Sequence, residues 1–177
     1  MKKGIFLSNV IILAMSINIG CDKLDIVEEL TLEVEFVANS STADFYTDVL
    51  LDADSLSDVI AEYSDKIKDI KVLEATYQII AVGNSNEATK IISSTFTVAD
   101  KNGDGVETIA TVANQDIAAL PTPIPLPLDP EGVARFEELM TNSPHRAMLT
   151  NAGSADGAPV DFTVKFVFTV EMTANPL

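Results

Sequence analysis

Asp100, Asn102 and Asp104 stand at alternate positions ahead of Gly105 in the stretch DKNGDGVE. Side-chain oxygens at the first, third and fifth places, with glycine at the sharp bend, are how a loop wraps a hard cation such as calcium. The Val106 carbonyl, Glu107 and water would complete the set. The candidate calcium site is therefore Asp100, Asn102, Asp104, Val106 and Glu107. Its twelfth position is Thr111, where the helix–loop–helix form of this site carries a bidentate glutamate. A plain turn between strands uses the same residues, since Asn102-Gly103 and Gly105 readily take positive φ. The missing glutamate favours that turn.

Other chemistry is sparse. His145 is the only histidine, so a metal site built from several imidazoles is excluded. It follows TNSP, which reads as a surface turn, and the chain has no G-x-S-x-G motif. Glu28-Glu29 and Glu137-Glu138 are neighbours in sequence only, as expected among 27 acidic residues. Tyr46, Tyr63 and Tyr77 lie in periodic segments and are expected to pack in or at the core, which disfavours a sugar-stacking platform. No catalytic residue is assigned, and the chain is read as not an enzyme.

The single cysteine, Cys21, closes a different pattern. Met1-Lys2-Lys3 is a small basic start, and residues 4–20 are mostly apolar and uncharged. That is a secretory signal, shorter than the roughly 20 apolar residues a membrane span requires, and broken by Ser8, Asn9, Ser16 and Asn18. Cleavage after Gly20 would make Cys21 the first residue. With Ile17 and Gly20 ahead of it, the stretch resembles the lipobox of bacterial lipoproteins. The resemblance implies a diacylglycerol on the Cys21 sulfur and hence a lipid anchor. Each buried CH₂ contributes about 0.8 kcal/mol, so a cysteine with two or three acyl chains is held firmly. Residues 21–29 carry four acids and read as an acidic tether.

Composition bounds the remainder. Without residues 1–20 the net charge moves from −16 to −18, because Lys2 and Lys3 leave with the signal. So acidic a surface repels phosphate backbones, and no nucleic-acid partner is expected. No cysteine remains for a disulfide, so the core alone must hold the fold. The chain from residue 30 to 177 is long enough for one domain.

The elements that must position these residues are mostly strands. LTLEVEFVA, FYTDVLLDA, KVLEATYQIIAV, TKIISSTFTV and VETIATVA favour extended chain, and HRAMLTN is a further candidate. The final run, VDFTVKFVFTVEMT, alternates apolar and polar residues from Val160 to Met172. The spacing of Leu56, Val59, Ile60, Tyr63 and Ile67 predicts a helix over 55–69, with Ser55 and Asp58 as its capping pair. Its expected place is across one end, joining strands of different sheets. LPTPIPLPLDP has five prolines in eleven residues, which predicts extended chain along a surface or sheet edge. Asp129 and Pro130 then open a short helix, EGVARFEELM.

The expected fold is all-β, an antiparallel β-sandwich of about seven strands with two short helices and immunoglobulin-like architecture. The order of these segments, with SDVIAEYSDKIKDIKVLEATYQI and the closing FTVEMTANPL, resembles a group of small envelope lipoproteins of unknown function. The functional expectation is a non-catalytic binding or interaction module, lipid-anchored in the cell envelope at the outer membrane. Its partner would be an envelope or extracellular protein or polymer. A structural subunit of a surface appendage or envelope assembly, joined by strand addition, is the second reading. An enzyme with an unrecognised site is the third.

Overall fold

The computed structural model describes residues 25–120 and 122–175. Cys21, the signal segment and residues 21–24 of the tether lie outside them. Chain order is β1 (Ile26–Ser40), β2 (Asp44–Asp52), α1 (Ala53–Leu56), α2 (Asp58–Tyr63), a 3₁₀ turn (Ser64–Lys66), β3 (Ile67–Val82), β4 (Lys90–Ala99), β5 (Glu107–Asp116), β6 (Ile124–Pro125), α3 (Pro130–Thr141), β7 (Arg146–Ala155) and β8 (Val160–Ala174). The strands form two antiparallel sheets, β1-β8-β3-β6 and β2-β7-β4-β5, packed as the expected sandwich.

Alternation builds the core. Val160, Phe162, Val164, Phe166, Phe168, Val170, Met172 and Ala174 of β8 all point inward and are fully buried. Leu32, Val34, Phe36 and Ala38 of β1 lie beside them, in a register unbroken from Ile26↔Ala174 to Ser40↔Val160. Strand pairing thus begins at Ile26, and the tether expected over 21–29 gives way to sheet four residues before its end. The side chain of Ile26 faces partly covered surface, which draws that segment onto β8.

The sandwich architecture is as expected, and the connectivity within it is not that of an immunoglobulin domain. Strands pair first with last, second with seventh, third with sixth and fourth with fifth. That nesting is the eight-stranded, double Greek-key jelly roll. An immunoglobulin sandwich instead puts its first, second, fifth and fourth strands in one sheet. Period-two patterning fixes which face of a strand is buried but says nothing about its neighbour.

The helix expected over 55–69 is broken. Ser57 is extended, with φ −138°, and separates α1 from α2. Its hydroxyl, not that of Ser55, caps α2 by accepting from the Ile60 N–H at 3.3 Å. Ile67 has left the helix to start β3. As expected, this segment joins the two sheets. The proline stretch runs along a sheet edge: Pro125 and Ile124 pair with Thr76 and Tyr77 of β3. Because β6 is so short, the rest of the β3 edge needs other partners, and α3 supplies them. Thr141 Oγ1 accepts from the Ile70 N–H at 2.9 Å, and Glu137 Oε1 accepts from the Val72 N–H at 2.8 Å. Phe136 stacks on Phe168 with centroids 4.1 Å apart. Gly132 lets the helix approach β5, since a Cβ there would lie 1.9 Å from the Thr108 carbonyl oxygen.

Candidate functional site

Asp100, Asn102, Asp104 and Val106 do fall in one loop, between β4 and β5, and Glu107 is the first residue of β5. The loop is held by its own backbone. The Asp100 N–H donates to the Asp104 carbonyl at 2.9 Å, and the Gly103 N–H donates to the Asp100 carbonyl at 2.9 Å. Asp100 Oδ1 accepts from the N–H groups of Asn102 at 2.7 Å and Asp104 at 2.9 Å. These backbone donors hold the Asp100 carboxyl below its ordinary range. Gly103 and Gly105 take φ of 90° and 65°, as a turn here requires. A Cβ on Gly105 would lie 2.9 Å from an Arg135 guanidinium nitrogen, so a fixed cation sits over the loop. Among the described residues, no group of three or more histidine, cysteine or carboxylate side chains converges as a metal site would.

His145 was expected in a surface turn; the structure buries it completely. Its Nδ1 lies 2.7 Å from the Met140 carbonyl, and its Nε2 lies 3.0 Å from the Ser64 carbonyl and 3.1 Å from Ser64 Oγ. The His145 carbonyl accepts from the Ala53 N–H at 3.0 Å. One imidazole therefore ties the end of α3 to the turn after α2. Its backbone takes φ 55°, which swings the ring under the turn instead of out from it. Next to it, Arg146 donates through Nε and Nη2 to Asp52 Oδ2 at 2.9 and 2.7 Å. Burial works to raise the Asp52 carboxyl, and hydrogen bonding and charge from Arg146 outweigh it, so the carboxyl is held below its ordinary value.

A cleft of about 410 Å³ lies between this region and the loop. Asp100, Lys101 and Asn102 form one wall, and Glu138, Asn142 and Arg146 the other. Most of these groups already serve the fold. Glu138 pairs with Arg135 at 2.8 Å, Arg146 holds Asp52, and the Asn142 amide donates to the Glu138 carbonyl at 2.7 Å.

The surface that stands out is the outer face of β2-β7-β4-β5. Cross-strand register sets it out in rows: Tyr46, Ala152, Thr95, Thr111; then Asp48, Thr150, Thr97; then Asp44, Ser154, Ser93, Ala113. Leu50 and Met148 are opposite one another at one end. Within these rows charge enters only through Asp44 and Asp48 on the edge strand, and the ion pairs Asp52–Arg146 and Lys90–Asp116 flank them at the two ends of the face. The other sheet is different outside: Glu29, Glu33 and Glu35 of β1 are exposed, with Lys165 and Glu171 of β8 and Lys71 of β3 beside them. Tyr46 belongs to the uncharged face and is 69% exposed, against the expectation that it packs. Both phases of FYTDVLLDA carry apolar residues, and the fold turns Phe45 and Leu51 inward instead. Tyr77, by contrast, is buried, and desolvation pushes its hydroxyl up to about 12. Sequence reading passed over the uncharged face. Its signal was available in the outward phase of SSTFTV and MLTNAGS, which holds no charge in a chain where 21% of residues are charged.

No known family profile matches this chain, and no curated protein does. Solved structures resemble it in form. One from turnip yellow mosaic virus aligns over 95% of this chain and 89% of its own, at 11% identity and TM-score 0.44. One from Desmodium yellow mottle tymovirus covers 96% and 98%, at 10% identity and TM-score 0.38. A decameric BFDV capsid protein covers 84% and 99%, at 10% identity and TM-score 0.41. The likeness is one of sandwich form and extends no further.

Proposed function

We propose that this protein is a non-catalytic interaction module, anchored in the cell envelope at the outer membrane by a lipid on Cys21. It meets its partner through the outer face of β2-β7-β4-β5. The observation that carries this reading is the contrast between the two sheets. An acidic domain keeps the central rows of one face, on β7 and β4, free of charge, and charged residues are depleted at the centres of protein interfaces. The non-catalytic part is supported by His145, whose ring nitrogens are occupied by backbone oxygens and Ser64 Oγ, far from a free base. The anchor is supported by the sequence around Cys21.

The test has two arms. Cys21→Ser should abolish acyl labelling and release the protein from the membrane fraction; unchanged fractionation removes the anchor. A photo-crosslinking residue at Thr95 should capture a partner in intact cells, whereas one at Thr163, on the outer face of the other sheet, should not. Capture from Thr163 alone would refute the face.

A further inference from the structure

We infer that the cleft between the β4–β5 turn and the end of α3 binds a small zwitterion. Such a molecule carries both an ammonium and a carboxylate, as a free amino acid or a dipeptide does. The site is separate from the sheet face proposed above and does not depend on it. Its volume of about 410 Å³ lies in the range of roughly 300–1,000 Å³ found for small-molecule sites.

The walls carry the argument. Four side chains are fixed to the fold through one polar group and keep a second. Asp100 commits Oδ1 to the N–H groups of Asn102 and Asp104 and keeps Oδ2. Glu138 commits Oε2 to Arg135 and keeps Oε1. Asn142 donates through Nδ2 to the Glu138 carbonyl and keeps Oδ1. Arg146 commits Nε and Nη2 to Asp52 and keeps Nη1. Lys101, exposed beside them, forms no ion pair among the described residues. A side chain already held by the fold loses little freedom when a ligand arrives, so each committed atom pre-organises the one beside it.

Charge decides what fits. The cleft presents two carboxylates, Asp100 and Glu138, and two cations, Lys101 and Arg146. A metal ion or simple amine meets the cations, and a simple anion meets the carboxylates. A neutral sugar would take water from all four charges and pair none, and an unpaired charge is costly to desolvate. A ligand with both signs pairs both. The chain as a whole carries −16, so a free anion is repelled on approach, whereas a zwitterion has no net charge to repel. The helix gives the orientation. α3 ends at this cleft, and the carbonyl end of a helix favours positive charge. The ammonium therefore belongs beside Glu138 and Asn142 Oδ1, and the carboxylate beside Lys101 and Arg146 Nη1. Water screens pairs at so open a site, which sets the expected dissociation constant at about 1 mM.

The experiment is saturation-transfer NMR on the purified full chain, with alanine and alanyl-alanine as probes. Two further probes each keep one charge: N-acetyl-alanyl-alanine the carboxylate, and alanyl-alanine amide the ammonium. At least one zwitterion should receive transfer, and both single-charge probes should bind about ten-fold more weakly, as loss of a charged hydrogen bond implies. Lys101→Glu alters an exposed side chain that the fold does not use. It should weaken the zwitterion about ten-fold and reverse the order, so that alanyl-alanine amide binds best. A merely structural effect would lower all probes alike. Glu138→Gln, with melting temperature checked, should weaken the zwitterion several-fold, and Glu35→Gln on the other sheet should leave it unchanged. No transfer to either zwitterion at millimolar concentration would overturn the site. So would equal binding of all probes, or an unchanged order in Lys101→Glu. Partner capture from Thr95 is read separately, so either reading can fail while the other stands.

Discussion

At the scale of single residues, the loop from Asp100 to Glu107 is the clearest test of chemistry against architecture. The Asp100 carboxylate already receives two N–H groups, and Arg135 lies over the bend. We expect millimolar calcium to leave the melting temperature of the full chain unchanged. Asp100→Ala should lower it equally with and without calcium, because the turn loses its internal acceptor. A rise with calcium in the wild type that Asp100→Ala removes would reveal a cation site. The turn residues themselves were legible: Asn102-Gly103 and Gly105 mark a bend wherever they stand between strands. His145 was not. Its neighbours Asn142, Ser143 and Pro144 are turn-formers, and nothing local reveals that positive φ carries the ring beneath the turn to Met140 and Ser64. Tyr46 was misplaced for a related reason. Adjacent apolar residues in β2 leave its inward phase open until the opposite sheet selects one.

At the scale of elements, α3 substitutes for missing sheet. β6 pairs only two residues of β3, and a bare strand edge is a liability. Proline explains why β6 is short: it has no N–H to give a ladder. The helix then provides side-chain acceptors to Ile70 and Val72 and a ring against Phe168. Phe136→Ala should cost about 3–5 kcal/mol in urea unfolding, the range for a fully buried phenylalanine. A loss under about 1 kcal/mol, the scale of an exposed site, would show that α3 only rests on the sandwich. The sequence announced this helix plainly through Asp129 and Pro130, and the cap is as expected, with Asp129 Oδ1 accepting from the Glu131 N–H at 3.0 Å. It misled at 55–69, where helical spacing ran through Ile67 although Ser57 breaks the helix and β3 takes the last residue. Spacing records what can face one side of a helix, and β3 held the stronger claim on Ile67 through its ladder with β8.

At the scale of the whole molecule, β8 organises the fold. It lies between β1 and β3, contributes eight buried side chains, and pairs along its full length with β1, from the opposite end of the described chain. Its alternation was the strongest signal in the sequence, yet its partners were not readable, because β1 and β8 are joined only through every element between them. The same nesting makes contacts long-range, and such topologies fold slowly, in milliseconds to seconds. It also sets a hierarchy of opening. Releasing β8 exposes the phenylalanines at 162, 166 and 168 and undoes both its ladders at once, so its amides can exchange only when the whole sandwich unfolds. Loop amides such as Lys101, and the β6 edge, open without disturbing that core. Native-state hydrogen exchange should therefore place residues 162–172 in the slowest class, with a common free energy equal to that of global unfolding by denaturant. The inner ladder of β4 and β7 should follow. If β8 instead exchanged ahead of β7, the two sheets would be separate cooperative units, and the jelly roll would be joined less tightly than its core of facing phenylalanines requires.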